Sequence, residues 1–436
     1  MMDVGNWQLK RLEEIGDIYS GSTPSTTKSS FWNGDIIWVT PNDLSQLNTP
    51  YLTTSGKKIT LEGLKSCSAH LLPSGSIILS SRAPIGYIAI STVEFCTNQG
   101  CKSFKLKEEY NSEFVYYNLN FNVNKIKTIG EGTTFAEISK TALGKVEILF
   151  LENKEEQEKI AEVLSTIDRA IAQTEAIIAK QQRIKTGLMQ DLLTKGIDEN
   201  GNIRSEATHE FKDSAIGRIP VEWEVISLGE IVRNHGGKLQ TGPFGSQLHS
   251  YEYVDNGIPV VMPQDINNSG ISTSEIVHIT ESKAEDLGRH RMIAGDLVFA
   301  RRGDLSRCAV IQPHQKGWIC GTGCLLLRVP SGVLSSQWAC EMYRYHIVQV
   351  QVGVQAVGST MVNLNTGILA NLLIPLPKYE EQRQIANRFQ SLEKDYTNLL
   401  ARKQKLNVVK TGLMQDLLTG KVRVTNLLKE KQPTSP

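Results

Sequence analysis

The segment KTGLMQDLLT occurs twice in this chain, letter for letter, at Lys185–Thr194 and again at Lys410–Thr419. A second pair of segments repeats at the same offset: EEQEKIAEVL from Glu155 aligns with EEQRQIANRF from Glu380. Chance does not produce such an identity in a chain of 436 residues, and repetition at a fixed spacing marks a duplicated structural unit. The chain therefore consists of two copies of one unit.

The repeat extends upstream with small changes of offset, which indicate insertions in loops. Each copy is then a variable block of roughly 150 residues, the size of one ordinary domain, followed by one of the similar segments. Three further pairs of segments carry the alignment: WQLKRLEEI from Trp7 with WEVISLGEI from Trp223, GSIILSSR from Gly75 with GDLVFARR from Gly295, and TTFAEISKTALGKVEI from Thr133 with STMVNLNTGILANLLI from Ser359.

The repeated segments predict two long helices. Apolar or small residues recur in them mostly at alternating intervals of three and four, which is typical of a coiled-coil seam. Each helix is expected to run for about 39 residues and about 58 Å, and the two are expected to pack on each other. The first seam comprises Ile160, Leu164, Ile167, Ile171, Thr174, Ile178, Ile184, Leu188 and Leu192; the second comprises Ile385, Phe389, Leu392, Tyr396, Leu399, Leu406, Val409, Leu413 and Leu417, with Lys403 as an interruption.

The variable blocks predict β-rich α+β domains, because stretches such as DIIWV, SIILSS, GYIAI, IPVVM and DLVFA are separated by Gly, Pro, Asn and Ser. Between the copies, the polar segment 194–220 lacks periodicity and is expected to be a connecting loop. The predicted organisation is a first block at 1–152, a central helix at 153–195, a linker at 196–220, a second block at 221–377, a C-terminal helix at 378–419 and a tail at 420–436.

Bulk properties place the chain among cytoplasmic, soluble proteins. A hydrophobic content of 40% with 21% charged residues is ordinary for a globular protein, and no apolar run reaches the roughly 18 residues of a membrane helix. We therefore expect no membrane association. Seven cysteines are an odd number that argues against a disulfide framework. No metal site is expected, because neither close cysteine pair, Cys96 with Cys101 or Cys320 with Cys324, is a C-x-x-C and no histidine pair follows at a zinc-ligand spacing.

Signatures of catalysis are absent from the sequence. It has no G-x-x-x-x-G-K-[ST] phosphate loop, no G-x-S-x-G, no H-E-x-x-H, and no Pro-Pro pair of the kind that amino-methyltransferases use to grip a target base. A self-contained methyltransferase-nuclease is therefore disfavoured, and no catalytic residue is assigned. Two alternatives remain: a DNA reader, or a coiled-coil adaptor that binds only proteins. A net charge of +1 favours the adaptor, whereas local basic clusters favour DNA.

The pattern resembles the specificity subunits of type I restriction-modification enzymes over nearly the whole chain. The resemblance rests on W-x-x-x-x-L-x-E-I at the start of each half, on the paired EEQ and LMQDLLT segments, and on several block segments. Those segments are GSTPSTTKSSFWNGDIIWVTPNDL, SRAPIGYIAI and TNQGCKSF in the first block, and TGPFGSQLHSYEYVDNGIPVV and GDLVFARRGDLSRCAV in the second.

The resemblance implies that the two blocks are target recognition domains, each reading half of a bipartite DNA site, and that the helices form an antiparallel coiled coil with pseudo-two-fold symmetry. Because the blocks differ in sequence, the site is expected to be asymmetric. Further implied partners are two adenine methyltransferase subunits and, in some complexes, two nuclease-translocase restriction subunits. S-adenosylmethionine and ATP with Mg²⁺ would bind those partners, so no cofactor is expected in this chain.

Candidate DNA contacts are side chains that pair with base edges or phosphates in the loops of the two blocks. Methyltransferase contacts are expected at helix positions outside the seam, with core packing as the alternative for these. The candidates for DNA binding are Ser22, Thr23, Lys28, Arg82, Asn98 and Gln99 in the first block and Lys238, Gln240, Ser246, Gln247, Arg301, Arg302 and Arg307 in the second; those for partner binding are Met189, Leu193, Met414 and Leu418.

Overall fold

The computed structural model describes residues 7–130, 137–267, 269–356 and 363–429. The chain divides into two compact units: a first unit within 1–176 and 401–436, and a second unit within 177–400. Each unit holds one variable block together with part of each long helix. The units are therefore not consecutive stretches of sequence.

The first unit begins with two short strands that flank a single turn of helix, and its block ends in a strand that leads into the first long helix. Its elements are β1 (Trp7–Arg11), α1 (Leu12–Ile15), β2 (Gly16–Ser20), β3 (Trp32–Val39), α2 (Pro41–Ser45), β4 (Tyr51–Leu52), β5 (Lys57–Ile59), α3 (Leu61–Lys65), β6 (Ile77–Ser80), β7 (Ile88–Ser91), β8 (Phe95–Thr97), β9 (Cys101–Leu106), α4 (Ser112–Phe121), α5 (Val123–Gly130), α6 (Lys140–Gly144), β10 (Glu147–Leu151) and the start of α7 (Lys154–Thr194).

The second unit follows the same plan after the end of α7. Its elements are β11 (Phe211–Ser214), β12 (Gly217–Pro220), β13 (Glu224–Ser227), α8 (Leu228–His235), β14 (Lys238–Thr241), β15 (Ile258–Val261), β16 (Ile266–Asn267), β17 (Gly270–Ile271), β18 (Val277–Ile279), α9 (Glu281–Asp286), β19 (Leu297–Ala300), β20 (Cys308–Val310), β21 (Ile319–Cys320), β22 (Cys324–Arg328), α10 (Ser336–Arg344), α11 (His346–Ala356), α12 (Thr366–Asn371), β23 (Leu373–Leu376) and the start of α13 (Tyr379–Leu417); α14 (Thr425–Lys429) follows in the first unit.

The sheets show that the duplication is structural as well as sequential. In the first unit the main sheet has the order β2-β9-β6-β7-β4, and in the second the order is β14-β22-β19-β20. A second, smaller sheet has the order β5-β3-β8 in the first unit and β18-β15-β21 in the second, with β3–β8 and β15–β21 parallel. The expected β-rich blocks of mixed helix and strand are present in both copies.

Short, mostly apolar stretches explain why the central strands are buried. In β6 all four residues are buried, and in β19 the same is true, because each is an interior strand of a sheet covered on both faces. The aromatic rings of Phe104, Phe114 and Phe150 lie in the first core, and Trp223, Trp338 and Tyr343 lie in the second. Each unit therefore has a hydrophobic core of its own.

The repeated EEQ motif joins each block to its long helix. Gln157, fully buried in α7, accepts a hydrogen bond from the N–H of Asn111 at 2.8 Å and donates to the carbonyl of Leu151 at 2.8 Å. In the second unit Gln382 accepts from the N–H of Ser335 at 2.8 Å. Asn111 and Ser335 cap α4 and α10, so the glutamine holds a capped helix against the start of the long helix in both copies.

The long helices have 41 and 39 residues, close to the expected length. Ion pairs connect them within each unit: Asp168 with Lys410 at 2.6 Å and Glu175 with Lys403 at 2.8 Å in the first, and Lys185 with Glu393 in the second. The expected seam holds only in part. Ile184 is 40% exposed and Val409 is 39% exposed, so the prediction that these two lie in a buried seam is wrong.

The segment between the copies is folded, which corrects the expectation of a plain connecting loop. β11 and β12 form an antiparallel hairpin, and Ile197 and Ile219 are buried in the second core. Arg204 is anchored by Glu381 at 2.5 Å. The expected tail is likewise folded as far as 429, since Val424 is buried in the first core. Polarity without periodicity did not distinguish these packed segments from loops.

The described residues contain no helix with both the length and the apolar character needed to cross a bilayer. Within those same ranges, no three side chains of His, Cys, Asp or Glu group together as metal ligands. The seven cysteines are free thiols, and all but Cys67 are buried. Burial raises the pKa of both Cys96 and Cys320 to about 12, so these thiols remain protonated and packed.

Candidate nucleic-acid interface

In the first unit, the loop that follows β2 lies against the turn between β8 and β9. The backbone N–H of Ser22 donates to the carbonyl of Thr97 at 2.9 Å, and the Thr23 hydroxyl donates to Oε1 of Gln99 at 2.5 Å. Gly21 permits this approach, because a Cβ there would lie only 1.9 Å from a backbone oxygen of the turn. Four expected contact residues are thus brought together: Ser22, Thr23, Asn98 and Gln99.

Arg82 borders the same turn. Its backbone N–H donates to the carbonyl of Gly100 at 3.3 Å, while Oδ1 of Asn98 accepts from the N–H of Gly100 at 3.0 Å. The Arg82 guanidinium lies 3.0 Å from the carboxylate of Glu137 and its side chain is 45% exposed. The turn therefore carries an accessible cation beside hydroxyl and amide groups, a set that can pair with phosphates and base edges.

Lys28 lies on a different part of the first block. Its ammonium is 5.0 Å from the centroid of the Phe31 ring, beside the short 3-10 helix Ser29–Phe31. Among the described residues no hydrogen bond or ion pair joins it to the cluster around the β8–β9 turn. Lys28 is exposed and stays a prediction as a DNA contact.

The second unit repeats this arrangement around the turn between β21 and β22. The N–H of Gly242 donates to the carbonyl of Cys324 at 2.9 Å, and that of Arg301 donates to the carbonyl of Gly323 at 2.8 Å. A Cβ on Gly242 would lie 2.0 Å from the carbonyl oxygen of Gly321. The loop that follows β14 and the loop that follows β19 therefore meet at one turn, as their counterparts do in the first unit.

The three arginines of the second loop differ in how they are held. Nε of Arg301 donates to Oδ1 of Asn363 at 3.1 Å. Arg307 donates to the carbonyl of Pro263 at 3.4 Å and lies 3.6 Å from Asp304. Arg302 is exposed and has no hydrogen bond or ion pair to any described residue. Arg302 is therefore the guanidinium of this loop that the described part of the chain leaves available for a ligand.

Two expected contacts of the second block, Lys238 and Gln240, bind a backbone carbonyl of their own unit, and Lys238 stays a prediction as a DNA contact. The side chains of Lys238 and Gln240 both donate to the carbonyl of Arg289, at 2.9 and 2.7 Å. Gln240 is buried, so its assignment as a DNA contact is corrected: its amide supports the backbone. Next to them, His290 is buried, and burial followed by the charges of Arg289 and Lys238 lowers its pKa to about 4.

The loop after β14 exposes Ser246 and two aromatic rings that the sequence patterns did not single out. Ser246 is exposed, whereas Oε1 of Gln247 accepts from the N–H of Phe244 at 3.0 Å and so shapes the turn. Phe244 is 61% exposed and Tyr251 is 80% exposed, the latter stacked on His249. Large aromatic residues in a polar loop were the signal that could have identified them, because exposed rings can stack on bases.

Two of the four expected partner contacts on the long helices are not accessible. Leu193 and Leu418 are 1% and 2% exposed in the cores of the second and first unit, which corrects their assignment as methyltransferase contacts: core packing is their role. Met189 and Met414 are partly buried against the same cores. A surface part of each methionine remains, so both stay predictions.

Each of the two repeated units of mixed helix and strand presents an arginine-bearing loop cluster at an equivalent turn. The chain belongs to the type I restriction modification DNA specificity domain family, whose model matches residues 5–182 and 220–411. The two matches coincide with the two copies of the repeat.

Individual relatives agree with this assignment. The chain is 28% identical to the type I restriction enzyme MjaIX specificity subunit of Methanocaldococcus jannaschii over 98% of this chain and 96% of that protein. It is 25% identical to the MjaVIII specificity subunit of the same organism over 72% and 71% of the two chains. In fold it is similar to the crystal structure of a type I restriction-modification S subunit from M. genitalium, with a TM-score of 0.58, 17% identity, and coverage of 94% and 96%.

Proposed function

We propose that this chain is the DNA-specificity subunit of a type I restriction-modification complex and that it reads an asymmetric, bipartite site on double-stranded DNA. One observation carries the proposal: this member of a family of DNA specificity domains contains the same sheet-and-turn framework twice, and the loops of the two copies carry different side chains. Two frameworks with unlike loops suit two half-sites of unlike sequence. Residues 1–152 and 221–377 would be the two target recognition domains.

We further propose that α7 and α13 pair as an antiparallel coiled coil that sets the spacing between the half-sites. The ion pairs support this, because the position on α13 falls as the position on α7 rises: Asp168 pairs with Lys410, Glu175 with Lys403, and Lys185 with Glu393. Such a pairing would give the two copies pseudo-two-fold symmetry. This symmetry matches two half-sites that face one side of the duplex and are separated by about one helical turn.

The chain would act without catalysis, in the cytoplasm, where its DNA target lies. We propose that two adenine methyltransferase subunits bind it and supply the S-adenosylmethionine site, and that restriction subunits, where present, supply the site for ATP and Mg²⁺. Met189 and Met414 are the helix positions that remain as partner contacts. The recognition residues of this chain would bind the duplex and hold those subunits over it.

The decisive experiment is to co-express this chain with the methyltransferase subunit of its own system and to map every modified adenine in the host genome. Methylation at one asymmetric motif, two short half-sites around an unspecified spacer, is the expected result. If the two proteins co-purify in soluble form but no motif depends on this chain, the proposal is wrong and the protein-binding adaptor is the better description.

Salt dependence offers an independent test against the adaptor. A protein that neutralises phosphates releases counterions, so its affinity for duplex DNA falls linearly in logarithm with the logarithm of salt concentration. We expect a steep slope for the complex on its cognate duplex. A binding curve that is flat between about 50 and 200 mM salt would favour the adaptor.

A further inference from the structure

The residues that directly follow β6 in the first unit and β19 in the second make equivalent backbone hydrogen bonds. In the first, the N–H of Ser81 donates to the carbonyl of Gly100 at 2.8 Å and the N–H of Ile138 donates to the carbonyl of Ser81 at 2.8 Å. In the second, the N–H of Arg301 donates to the carbonyl of Gly323 at 2.8 Å, and the N–H of Leu364 donates to the carbonyl of Arg301 at 3.0 Å. The matching bonds align Ser81 with Arg301 and Ile138 with Leu364. Arg82 and Arg302, which follow the first aligned pair, therefore align with each other. Glu137 and Asn363, which precede the second aligned pair, align in the same way.

The first unit places three charges at this point. One carboxylate oxygen of Glu137 lies 3.0 Å from the Arg82 guanidinium, and the other lies 3.7 Å from the ammonium of Lys102. Lys102 is 4% exposed, and burial lowers its pKa. A buried ammonium is stable only with a partner of opposite charge. Glu137 is therefore held in place by a cation that cannot move away into solvent.

The second unit lacks both the buried lysine and the carboxylate of this arrangement. In β9, Lys102 pairs with Leu79 of β6; in β22, Leu325 pairs with Phe299 of β19 at the same register. Asn363, in the place of Glu137, accepts a hydrogen bond from Arg301. The two differences occur together: the second unit has a leucine in place of the buried lysine and an asparagine in place of the glutamate. One chain thus contains two arrangements at equivalent positions, one with a carboxylate between two cations and one with an amide that binds a single guanidinium.

A guanidinium that a carboxylate holds differs functionally from a free one. Pairing with Glu137 fixes the direction of the Arg82 side chain and offsets much of its charge, so its attraction to phosphates is weakened. Readout of a base edge needs a fixed direction, whereas attraction to the backbone needs charge. The arrangement in the first unit favours base readout, and the exposed Arg302 of the second unit favours contact with phosphate.

We propose that Glu137 is a positioning residue that orients Arg82 for reading a base in one half-site, and that the buried Lys102 fixes Glu137 for this purpose. This inference rests on the proposed function, since it concerns how the first unit reads its DNA. It also assigns the two units different modes of contact at equivalent positions of one framework.

The test measures the affinity of the full chain, co-purified with its methyltransferase, for the cognate duplex and for two duplexes with one half-site scrambled in each. The variants are Glu137→Gln, Arg82→Ala, their combination, and the pair Lys102→Leu with Glu137→Asn. The last variant introduces the leucine and the asparagine that the second unit has at these two positions and leaves no buried cation, so it keeps the test valid if Glu137→Gln alone does not fold. Glu147→Gln is the matched control, an exposed carboxylate near Arg11 in the same unit.

We expect the variants at 137 to discriminate about tenfold less well between the cognate duplex and the duplex with one of the half-sites scrambled, which is near the lower limit of what one good base contact contributes. Discrimination at the other half-site should not change. Arg82→Ala should affect the same half-site, and adding Glu137→Gln to it should change nothing further, because Glu137 acts through Arg82. The control should discriminate like the wild type.

The outcomes separate this inference from the proposed function. If the wild type does not distinguish the cognate from either scrambled duplex, the proposed function fails. If the wild type discriminates and the Lys102→Leu, Glu137→Asn variant does so equally well, only the role of Glu137 is refuted. Additive losses in Arg82→Ala with Glu137→Gln, or equal losses at both half-sites, would also overturn it, because either result indicates a general effect on the fold.

Discussion

The carboxylate of Glu156 in the first turn of α7 accepts hydrogen bonds from Nε and Nη2 of Arg423, at 3.0 and 2.6 Å. Arg423 lies just beyond the end of α13, so the start of one long helix is tied to the segment that follows the other. The second unit repeats this contact with the roles of the helices exchanged, because Glu381 at the start of α13 binds Arg204 beyond the end of α7. The second glutamate of each EEQ motif therefore closes its unit.

Removing the arginine should destabilise the first unit strongly. The Glu156 side chain is 4% exposed, and Arg423→Met would leave its charge buried without this partner, at a cost of about 3–5 kcal/mol in the free energy of unfolding. Urea unfolding of the full chain measures the effect, with Arg402→Met on the exposed face of α13 as the control. Restoring neutrality with Glu156→Gln in the same chain should recover part of the loss. A loss below about 1 kcal/mol, the value of an exposed pair, would contradict the prediction.

The exposed arginine of the second unit supplies a prediction on binding. Arg302→Ala should weaken binding of the cognate duplex through one half-site only and should make the dependence of affinity on salt less steep, since a phosphate contact contributes to that slope. Titration at several salt concentrations measures both effects. Lys316→Ala, an exposed cation in the same unit, serves as the control. Unchanged affinity for the cognate duplex would remove Arg302 from the contacts.

The length of the long helices should determine the spacer. Insertion of one heptad near the middle of α7 and one near the middle of α13 preserves the seven-residue period of a coiled coil while lengthening each helix by about 10 Å. We expect the methylated motif to keep both half-sites and to acquire a longer spacer, as a methylation map of the host genome would show. A change in the sequence of either half-site would refute the spacing role, because the recognition loops are untouched.

His290 predicts acid sensitivity of the second unit. Burial lowers its pKa to about 4 in the folded chain, against an ordinary value near 6.5, so between these pH values the unfolded chain binds a proton that the folded chain does not. Stability from this residue is therefore complete above about pH 6.5 and declines as the pH falls toward about 4. His290→Leu should flatten the dependence of the unfolding temperature on pH in this window. The exposed His314→Gln should leave it as in the wild type, and an equally steep curve for His290→Leu would exclude His290 as the cause.

Much of the fold could be predicted from the sequence because the deciding signals are local or repeated. The helix positions follow from a period of three and four, and the strands from short apolar stretches between turn residues. The alignment of the two copies also sets Glu137 opposite Asn363. What it could not show is that Lys102 is buried beside Glu137, since a lysine in a strand is usually solvated.

The sequence predicted which loops form the candidate site, but it predicted only some of the residues in them. Arg82, Asn98 and Gln99 were expected as DNA contacts from two separate segments, SRAPIGYIAI and TNQGCKSF, and the fold brings all three to one turn. Gln240 was expected to face DNA and is instead buried against Arg289. Period-two alternation assigns faces of a strand but does not say which polar residue a distant carbonyl will claim.

By itself, the sequence determined that the chain is a duplication, that each copy ends in a long helix, and that the blocks are β-rich, because each of these properties is written in repetition or in short-range periodicity. Only the tertiary structure decided that each unit takes part of both helices, that 196–220 is folded, and that Leu193 and Leu418 are core residues. Those outcomes depend on contacts such as Glu156 with Arg423, between residues far apart in the chain, where local pattern carries no information.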